Sequence, residues 1–207
     1  AMLRPDRMSV GTPAPHLTRS LAQILDERGL CMGSGCFLSE DGLVLTAAHV
    51  VAGKERLSVR NAEGKVFPVR EVCPGDFSAD AVLLRTGAEE QMFLRLADHA
   101  PEVKDPLWVC GFPLSMDLPV TSEGMVRSLP NTPGRPLLTT VPMMPGQSGS
   151  PVLNSQGRIV GVASRGSLPF RGGGAPARSE ATDWNSLQKL WQLSLQPESF
   201  ADVRQLR

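Results

Sequence analysis

No apolar run in this 207-residue chain is both long and unbroken. From residue 30 to residue 165, short hydrophobic stretches alternate with turn signals, in a chain that carries 20 glycines and 18 prolines in all. A chain punctuated this closely has no room for the long helices of a bundle. Short strands joined by tight turns are what remains, so an all-β barrel or sandwich is expected. Residues 31–38 read as a strand, and Glu40-Asp41-Gly42 is a hairpin signal leading into Leu43-Val44-Leu45. A second hairpin runs from Leu57-Ser58-Val59 through Asn61-Ala62-Glu63-Gly64 to Val66-Phe67-Pro68-Val69, and Ala81-Val82-Leu83-Leu84 completes this set.

Residues 86–105 are charged and irregular and suit a connection between lobes. A second set of strands follows: Leu107-Trp108-Val109-Cys110, Gly124-Met125-Val126, Leu137-Leu138-Thr139-Thr140, Pro151-Val152-Leu153 and Ile159-Val160-Gly161-Val162-Ala163. Both ends differ in texture. Leu17, Leu21, Ile24 and Leu25 recur at helical spacing with Gly29 as a stop, after an irregular arm. Trp184, Leu187, Leu190, Trp191 and Leu195 do the same near the other end, predicting a C-terminal helix that docks on the body. The expected layout is an arm and helix over residues 1–29, a first lobe over 30–100, and a second lobe with the final helix over 101–207.

Bulk properties exclude several classes of function. Lys and Arg total 21 and Asp and Glu total 21, so nothing electrostatic favours nucleic acid or an anionic membrane. No apolar stretch approaches the roughly 18 residues of a membrane span, and residues 1–7 lack the apolar segment of a secretory signal. Cys31, Cys36, Cys73 and Cys110 form no CxxC pair and no metal-type spacing. Three of them sit in strand-like stretches where a thiol behaves as a small hydrophobe, so free thiols are expected over disulfides.

Within this frame, Pro145-Gly146-Gln147-Ser148-Gly149-Ser150-Pro151 stands out because two upstream segments hold the partners a reactive serine needs. These are Thr46-Ala47-Ala48-His49-Val50-Val51 and Asp80-Ala81-Val82-Leu83-Leu84. A serine hydroxyl is a weak nucleophile until a base takes its proton. The base in turn works best when a third group fixes its tautomer and stabilises the imidazolium. Histidine, aspartate and serine in that order, each within an apolar segment, point to acyl-transfer chemistry. His16 and His99 have no such surroundings and read as surface residues.

These residues resemble those of the chymotrypsin-fold, trypsin-like serine peptidases, and within them the bacterial HtrA/Deg branch. The resemblance is carried by four ordered blocks: Gly33-Ser34-Gly35 with Leu43 through Val51; Val59 through Gly64-Lys65 with Asp76 through Leu83; Gly111-Phe112-Pro113-Leu114 with Val120 through Val126; and Pro145 through Asn154 with Gly157 through Val162. It implies an all-β fold of two six-stranded antiparallel Greek-key β-barrels with an N-terminal and a C-terminal helix. It implies a serine endopeptidase acting on proteins or peptides, with no cofactor and no metal.

Carried over by residue, Ser148 is the nucleophile, His49 the general base and acid, and Asp80 the group that orients the imidazole. Asp76 is close in sequence, but the triad position of the family falls on Asp80. The N–H groups of Gly146 and Ser148 form the oxyanion hole, and Ser164 lies on the strand that pairs with substrate. The specificity pocket falls on Pro142, Arg165 and Gly166. With Met143 and Met144 beside Pro142 and no acid in reach, an apolar P1 residue of modest size is expected. Gln147 stands where the digestive enzymes carry an activating aspartate, so no zymogen-type ion pair is expected. A protease body without a PDZ module is expected. The resemblance further implies a periplasmic or secreted setting, and an oligomer is compatible with it. A catalytically silent peptide-binding module of the same fold, or a viral or phage processing protease of the same chemistry, are the alternatives.

Overall fold

The computed structural model describes residues 15–73, 77–132, 134–166 and 178–202. Asp76, Arg171 and the glycine run at 172–174 lie outside them, as do residues 1–14 of the expected irregular arm over 1–16, whose last two residues are helical. Two β-sheets dominate the fold, and each curls around its own apolar interior. That is the chymotrypsin-like arrangement, with few helices.

The first element is a short helix, α1 (Pro15–Ser20), followed directly by β1 (Leu21–Leu25). This corrects the expectation of a helix reaching toward Gly29. All five residues of β1 are buried, because the strand lies mid-sheet between two partners and is covered on both faces. The coincidence of Leu17, Leu21, Ile24 and Leu25 with a helical period does not outweigh that pairing.

The chain continues through β2 (Cys31–Phe37), β3 (Leu43–Thr46), the one-turn helix α2 (Ala48–Val51), β4 (Ser58–Asn61), β5 (Val66–Pro68), β6 (Glu71–Cys73) and β7 (Val82–Arg85). Both expected hairpins form, β2 to β3 and β4 to β5. Only Val69 and Arg70 separate β5 from β6. The N–H of Val69 donates to Leu57 O and that of Arg70 to Arg85 O, 2.9 and 2.8 Å. One bent run therefore pairs first with β4 and then with β7, which turns the sheet back upon itself.

The second sheet is built from β8 (Pro106–Gly111), β9 (Val120–Ser128), β10 (Leu137–Thr139), β11 (Pro151–Leu153), β12 (Ile159–Arg165) and β13 (Ser179–Ala181). These six close into a barrel in the order β10-β13-β12-β11-β8-β9. Strand alternation, shifted in β12 by a register irregularity opposite Val152 and Leu153, divides their side chains between two cores. Leu107, Val109, Val152 and Val160 point into the barrel, while Cys110, Leu153, Ile159 and Val162 join the core of the first lobe. The two lobes thus share one packed seam. The connection between them is stitched into it, with Leu94 N–H on Phe37 O and Ile159 N–H on Arg95 O, both 2.9 Å.

At Gly111 this seam leaves no space for a side chain: an added Cβ would fall inside the Ser150 hydroxyl and 2.9 Å from Ser34 Oγ. The C-terminal helix, α3 (Trp184–Ser194), starts at Asp183, whose carboxylate caps Ser186 N–H at 3.2 Å. It buries Leu187 and Leu190 and packs against β12, β6 and β7, whereas Leu195 stays exposed. β14 (Ala201–Asp202) then adds to the β6 edge of the first sheet. Cys31, Cys36, Cys73 and Cys110 are not joined by disulfides. Burial pushes the Cys110 thiol up to about 11, against a smaller opposing effect of the Thr121 hydroxyl, and raises Cys36 further. Among the described residues, no helix is long and apolar enough to cross a membrane.

Candidate active site

His49 lies on α2, immediately beyond β3, with its side chain about half exposed. Asp80 reaches it from the turn before β7. That turn places Asp80 at φ +54°, a left-handed conformation that aspartate tolerates better than most residues. The buried Thr182 hydroxyl holds the turn by donating to Ala79 O at 2.7 Å.

The Asp80 carboxylate accepts from His49 Nδ1 through both oxygens, at 2.8 and 3.0 Å. It also accepts from the main-chain N–H of His49 at 2.9 Å and from the Ser164 hydroxyl. Burial by itself would raise its pKa. The hydrogen bonds from the His49 ring, the Ser164 hydroxyl and the His49 N–H outweigh burial and hold the carboxyl below its ordinary value. A group so held stays ionised at neutral pH, and it fixes the His49 proton on Nδ1 when the ring is neutral, leaving Nε2 free to accept.

Ser148, half-buried, enters from the second lobe on the loop before β11. Its hydroxyl donates to Ser164 O at 3.3 Å rather than to His49. Ser164 therefore bridges the group: its hydroxyl meets Asp80 and its carbonyl meets Ser148. The carbonyls from Met144 to Ser148 are all engaged. Met144 O accepts from Gln147 N–H at 3.0 Å, Pro145 O from Leu114 N–H at 2.6 Å, and Gly146 O from Ser34 Oγ at 2.8 Å. Gln147 O accepts from Ser150 N–H at 3.0 Å and Ser148 O from Ser34 N–H at 2.8 Å. Among the described residues, the N–H groups of Gly146 and Ser148 donate to no protein acceptor. Gly146 takes φ +92°, which requires glycine. Gln147 is fully buried, and its side-chain oxygen accepts from Met144 N–H at 2.9 Å.

A cleft of about 780 Å³ opens beside His49 and Asp80, with Ser164, Arg165, Arg135 and Glu180 also on its walls. Arg165 and Gly166 are exposed at the end of β12, and Pro142 is half-buried at the start of the serine loop. Between these two segments lies Met143, only 4% exposed. A Cβ on Gly166 would overlap that of Met143 and approach its carbonyl to 2.8 Å. The two segments thus touch at Gly166 and Met143, and Met143 packs into the core of the second lobe. Ser34, Leu114 and Thr182 were not singled out from the sequence as site residues. Ser34 and Leu114 stand in the Gly33-Ser34-Gly35 and Gly111-Phe112-Pro113-Leu114 blocks, which gave neither of them a role; nothing marked Thr182.

The profile of the trypsin-like peptidase domain matches residues 33–162, well over half of the chain. The chain belongs to this family. Its similarity reaches the HtrA/Deg branch. It is 33% identical over 150 residues to a probable periplasmic serine endoprotease, DegP-like, from Halomonas elongata, covering 70% of this chain and 31% of that one. A protein of the same description from Pseudomonas fluorescens is 33% identical over 162 residues, covering 75% and 33%. Serine protease HTRA1 of Xenopus laevis is 31% identical over 140 residues, covering 63% and 30%. The chain thus spans about a third of the length of the curated relatives it matches. Among solved structures, the serine endoprotease from Yersinia pestis superimposes with a TM-score of 0.70 at 18% identity, over 87% of this chain and 66% of that one, which is a likeness of fold.

Proposed function

We propose that this trypsin-like peptidase domain is a serine endopeptidase that cleaves proteins or peptides through an acyl-enzyme. The observation that carries the reading is the doubly bonded His49–Asp80 pair, at 2.8 and 3.0 Å, joined through Ser164 to the Ser148 hydroxyl. A turn of the Ser148 side chain from Ser164 O toward the ring brings its proton to Nε2. Oγ then attacks the substrate carbonyl while His49 takes the proton, and Asp80 stabilises the imidazolium. The tetrahedral intermediate collapses as His49 returns that proton to the departing amine. Water, activated by the same histidine, repeats the sequence on the acyl-enzyme and frees Ser148.

The negative charge of the tetrahedral intermediate needs donors that are already aimed. Gly146 and Ser148 N–H suit that role, because the neighbouring carbonyls are turned to other partners and the two N–H groups are not spent on the protein. Each such donor is worth roughly 10²–10³ in rate. The close approach of Met143 to Gly166 favours a small apolar P1 side chain, and Pro142, Met143 and Met144 offer no acid to Lys or Arg, the carboxylate of Glu180 standing elsewhere on the cleft wall. The relatives named periplasmic favour that compartment for this chain.

The Ser164 carbonyl as partner of Ser148 is the one feature that favours a silent peptide-binding module instead. Turnover separates the two readings. A quenched-fluorescence peptide library with small apolar residues at P1 is cleaved by the wild type and not by Ser148→Ala. No cleavage of any member by the wild type supports the binding module.

A further inference from the structure

Ser34 plays no part in the chemistry above, yet its side chain is fully buried and fully used. Its hydroxyl donates to Gly146 O at 2.8 Å and accepts from Phe112 N–H at 2.9 Å. Its own N–H donates to Ser148 O at 2.8 Å, and its carbonyl accepts from the Thr46 hydroxyl at 2.7 Å. One residue of β2 in the first lobe thus holds the main chain on both sides of Gln147, in a loop that belongs to the second lobe.

The consequence lies in the geometry of Gly146. This residue stands between two peptide planes, Pro145–Gly146 and Gly146–Gln147. Leu114 fixes the first through Pro145 O and Ser34 fixes the second through Gly146 O. With both planes tethered, φ and ψ of Gly146 are set, and so is the direction of its N–H. The Gly146 N–H lies in the first of these planes and the Ser148 N–H in the Gln147–Ser148 plane. Ser34 holds the planes on either side of the latter through Gly146 O and Ser148 O, so without it the peptide units beside both donors lose a hold and the donors can tilt out of line. Both tethers also have a common root. Phe112, whose N–H rests on the Ser34 hydroxyl, lies two residues before Leu114 in the same turn.

We infer that Ser34 is a positioning residue for the oxyanion site, holding the Gly146 and Ser148 N–H groups in the direction that transition-state binding requires. The inference rests on the serine-endopeptidase reading and goes beyond it by giving a buried hydroxyl of the opposite lobe a defined part in the reaction. It separates two kinds of binding. Contacts made along the substrate chain do not depend on Ser34, whereas contacts made to the developing oxyanion do.

The test uses Ser34→Ala and Ser34→Cys, each first shown to be folded by circular dichroism and thermal melting. Expected is a fall in kcat of about 10- to 100-fold with KM changed by less than about threefold, the loss bounded by the value of one oxyanion donor. The affinity for a peptide aldehyde, which forms an oxyanion on Ser148, falls with kcat. The affinity for the matching reduced-amide peptide, which has no carbonyl, does not change. The pH dependence of kcat/KM keeps its shape, since His49 and Asp80 are untouched. A wild type that neither turns over substrate nor binds the aldehyde defeats the serine-endopeptidase reading itself. An active wild type matched by both variants in kcat and aldehyde affinity overturns the Ser34 inference alone. Equal losses for the aldehyde and the reduced peptide, or failure of both variants to fold, overturn it too by making Ser34 a general structural residue.

Discussion

Replacing Asp80 by Asn removes one charge and one acceptor while leaving the shape of the side chain and the turn that carries it almost untouched. Asparagine accepts the left-handed conformation at φ +54° as readily as aspartate, so backbone strain does not enter. The carboxylate serves three donors: His49 Nδ1, the His49 main-chain N–H and the Ser164 hydroxyl. An amide has one acceptor oxygen. Placed at Oδ1, it keeps the His49 N–H, but its NH₂ then faces Nδ1, which must give up its proton. The ring proton moves to Nε2, the atom that has to accept from Ser148. Placed at Oδ2, the amide sets NH₂ against the His49 main-chain N–H, donor against donor. The first arrangement is the cheaper, and it holds the wrong tautomer.

The expected loss in kcat is about 10⁴-fold, or roughly 5 kcal/mol of transition-state stabilisation at about 1.4 kcal/mol per factor of ten. KM should stay within a few-fold. Steady-state kinetics on a cleavable peptide, with circular dichroism to confirm folding, reads both. Stability supplies a second check. Because the folded carboxyl lies below its ordinary value, its stabilising effect is present above the usual carboxylate pKa of about 3.9 and is lost as pH falls through the lower folded value. Wild type should therefore lose stability relative to Asp80→Asn only on acidification below about pH 4. An Asp80→Asn protein within tenfold of wild-type kcat would falsify this reasoning, and Asp76→Asn proving the more damaging would move the role to Asp76.

Three further substitutions test the supports around this pair. Thr182→Val deprives Ala79 O of its 2.7 Å donor in a buried place; it should cost about 1–3 kcal/mol in urea denaturation and lower kcat several-fold as the Asp80 turn loosens. Gly111→Ala drives a Cβ into the Ser150 hydroxyl and should cost about 1–3 kcal/mol. Combining it with Ser150→Gly should recover part of that loss, and simple additivity would argue against the clash. Met143→Ala should raise kcat/KM for leucine or phenylalanine at P1 by about tenfold relative to alanine or valine, at a cost of about 2–5 kcal/mol in stability; an unchanged P1 profile would remove Met143 from the pocket wall.

What the sequence makes legible is what local chemistry decides. Glu40-Asp41-Gly42 and Asn61 through Gly64 form their turns because glycine and the neighbouring polar residues suit no regular element at those points, and the flanking apolar runs then pair. The resemblance carried by the histidine, aspartate and serine blocks names His49, Asp80 and Ser148, and the structure places His49 and Asp80 in hydrogen-bond contact. Leu21–Leu25 reads as helix from the spacing of Leu17, Leu21, Ile24 and Leu25, but its nearly continuous apolar run suits a strand buried on both faces equally well; only pairing with β2 and β4 decides between them. Ser179–Ala181 and Ala201–Asp202 carry no periodic signal at all and become strands because edges of existing sheets are available to them. Ser34, Leu114 and Thr182 escaped for a different reason. They act through main-chain carbonyls far away in sequence, at Gly146, Pro145 and Ala79, and a carbonyl leaves no trace in the identity of its residue.

The central claim is that Ser148 is a nucleophile activated by His49. Incubation with a fluorophosphonate, followed by peptide mapping by mass spectrometry, tests it most directly. The account predicts one phosphonyl adduct, on Ser148, formed in the wild type, slowed by orders of magnitude in His49→Ala and absent from Ser148→Ala. An unmodified Ser148 in folded wild-type protein, or an adduct whose rate ignores His49, would contradict it.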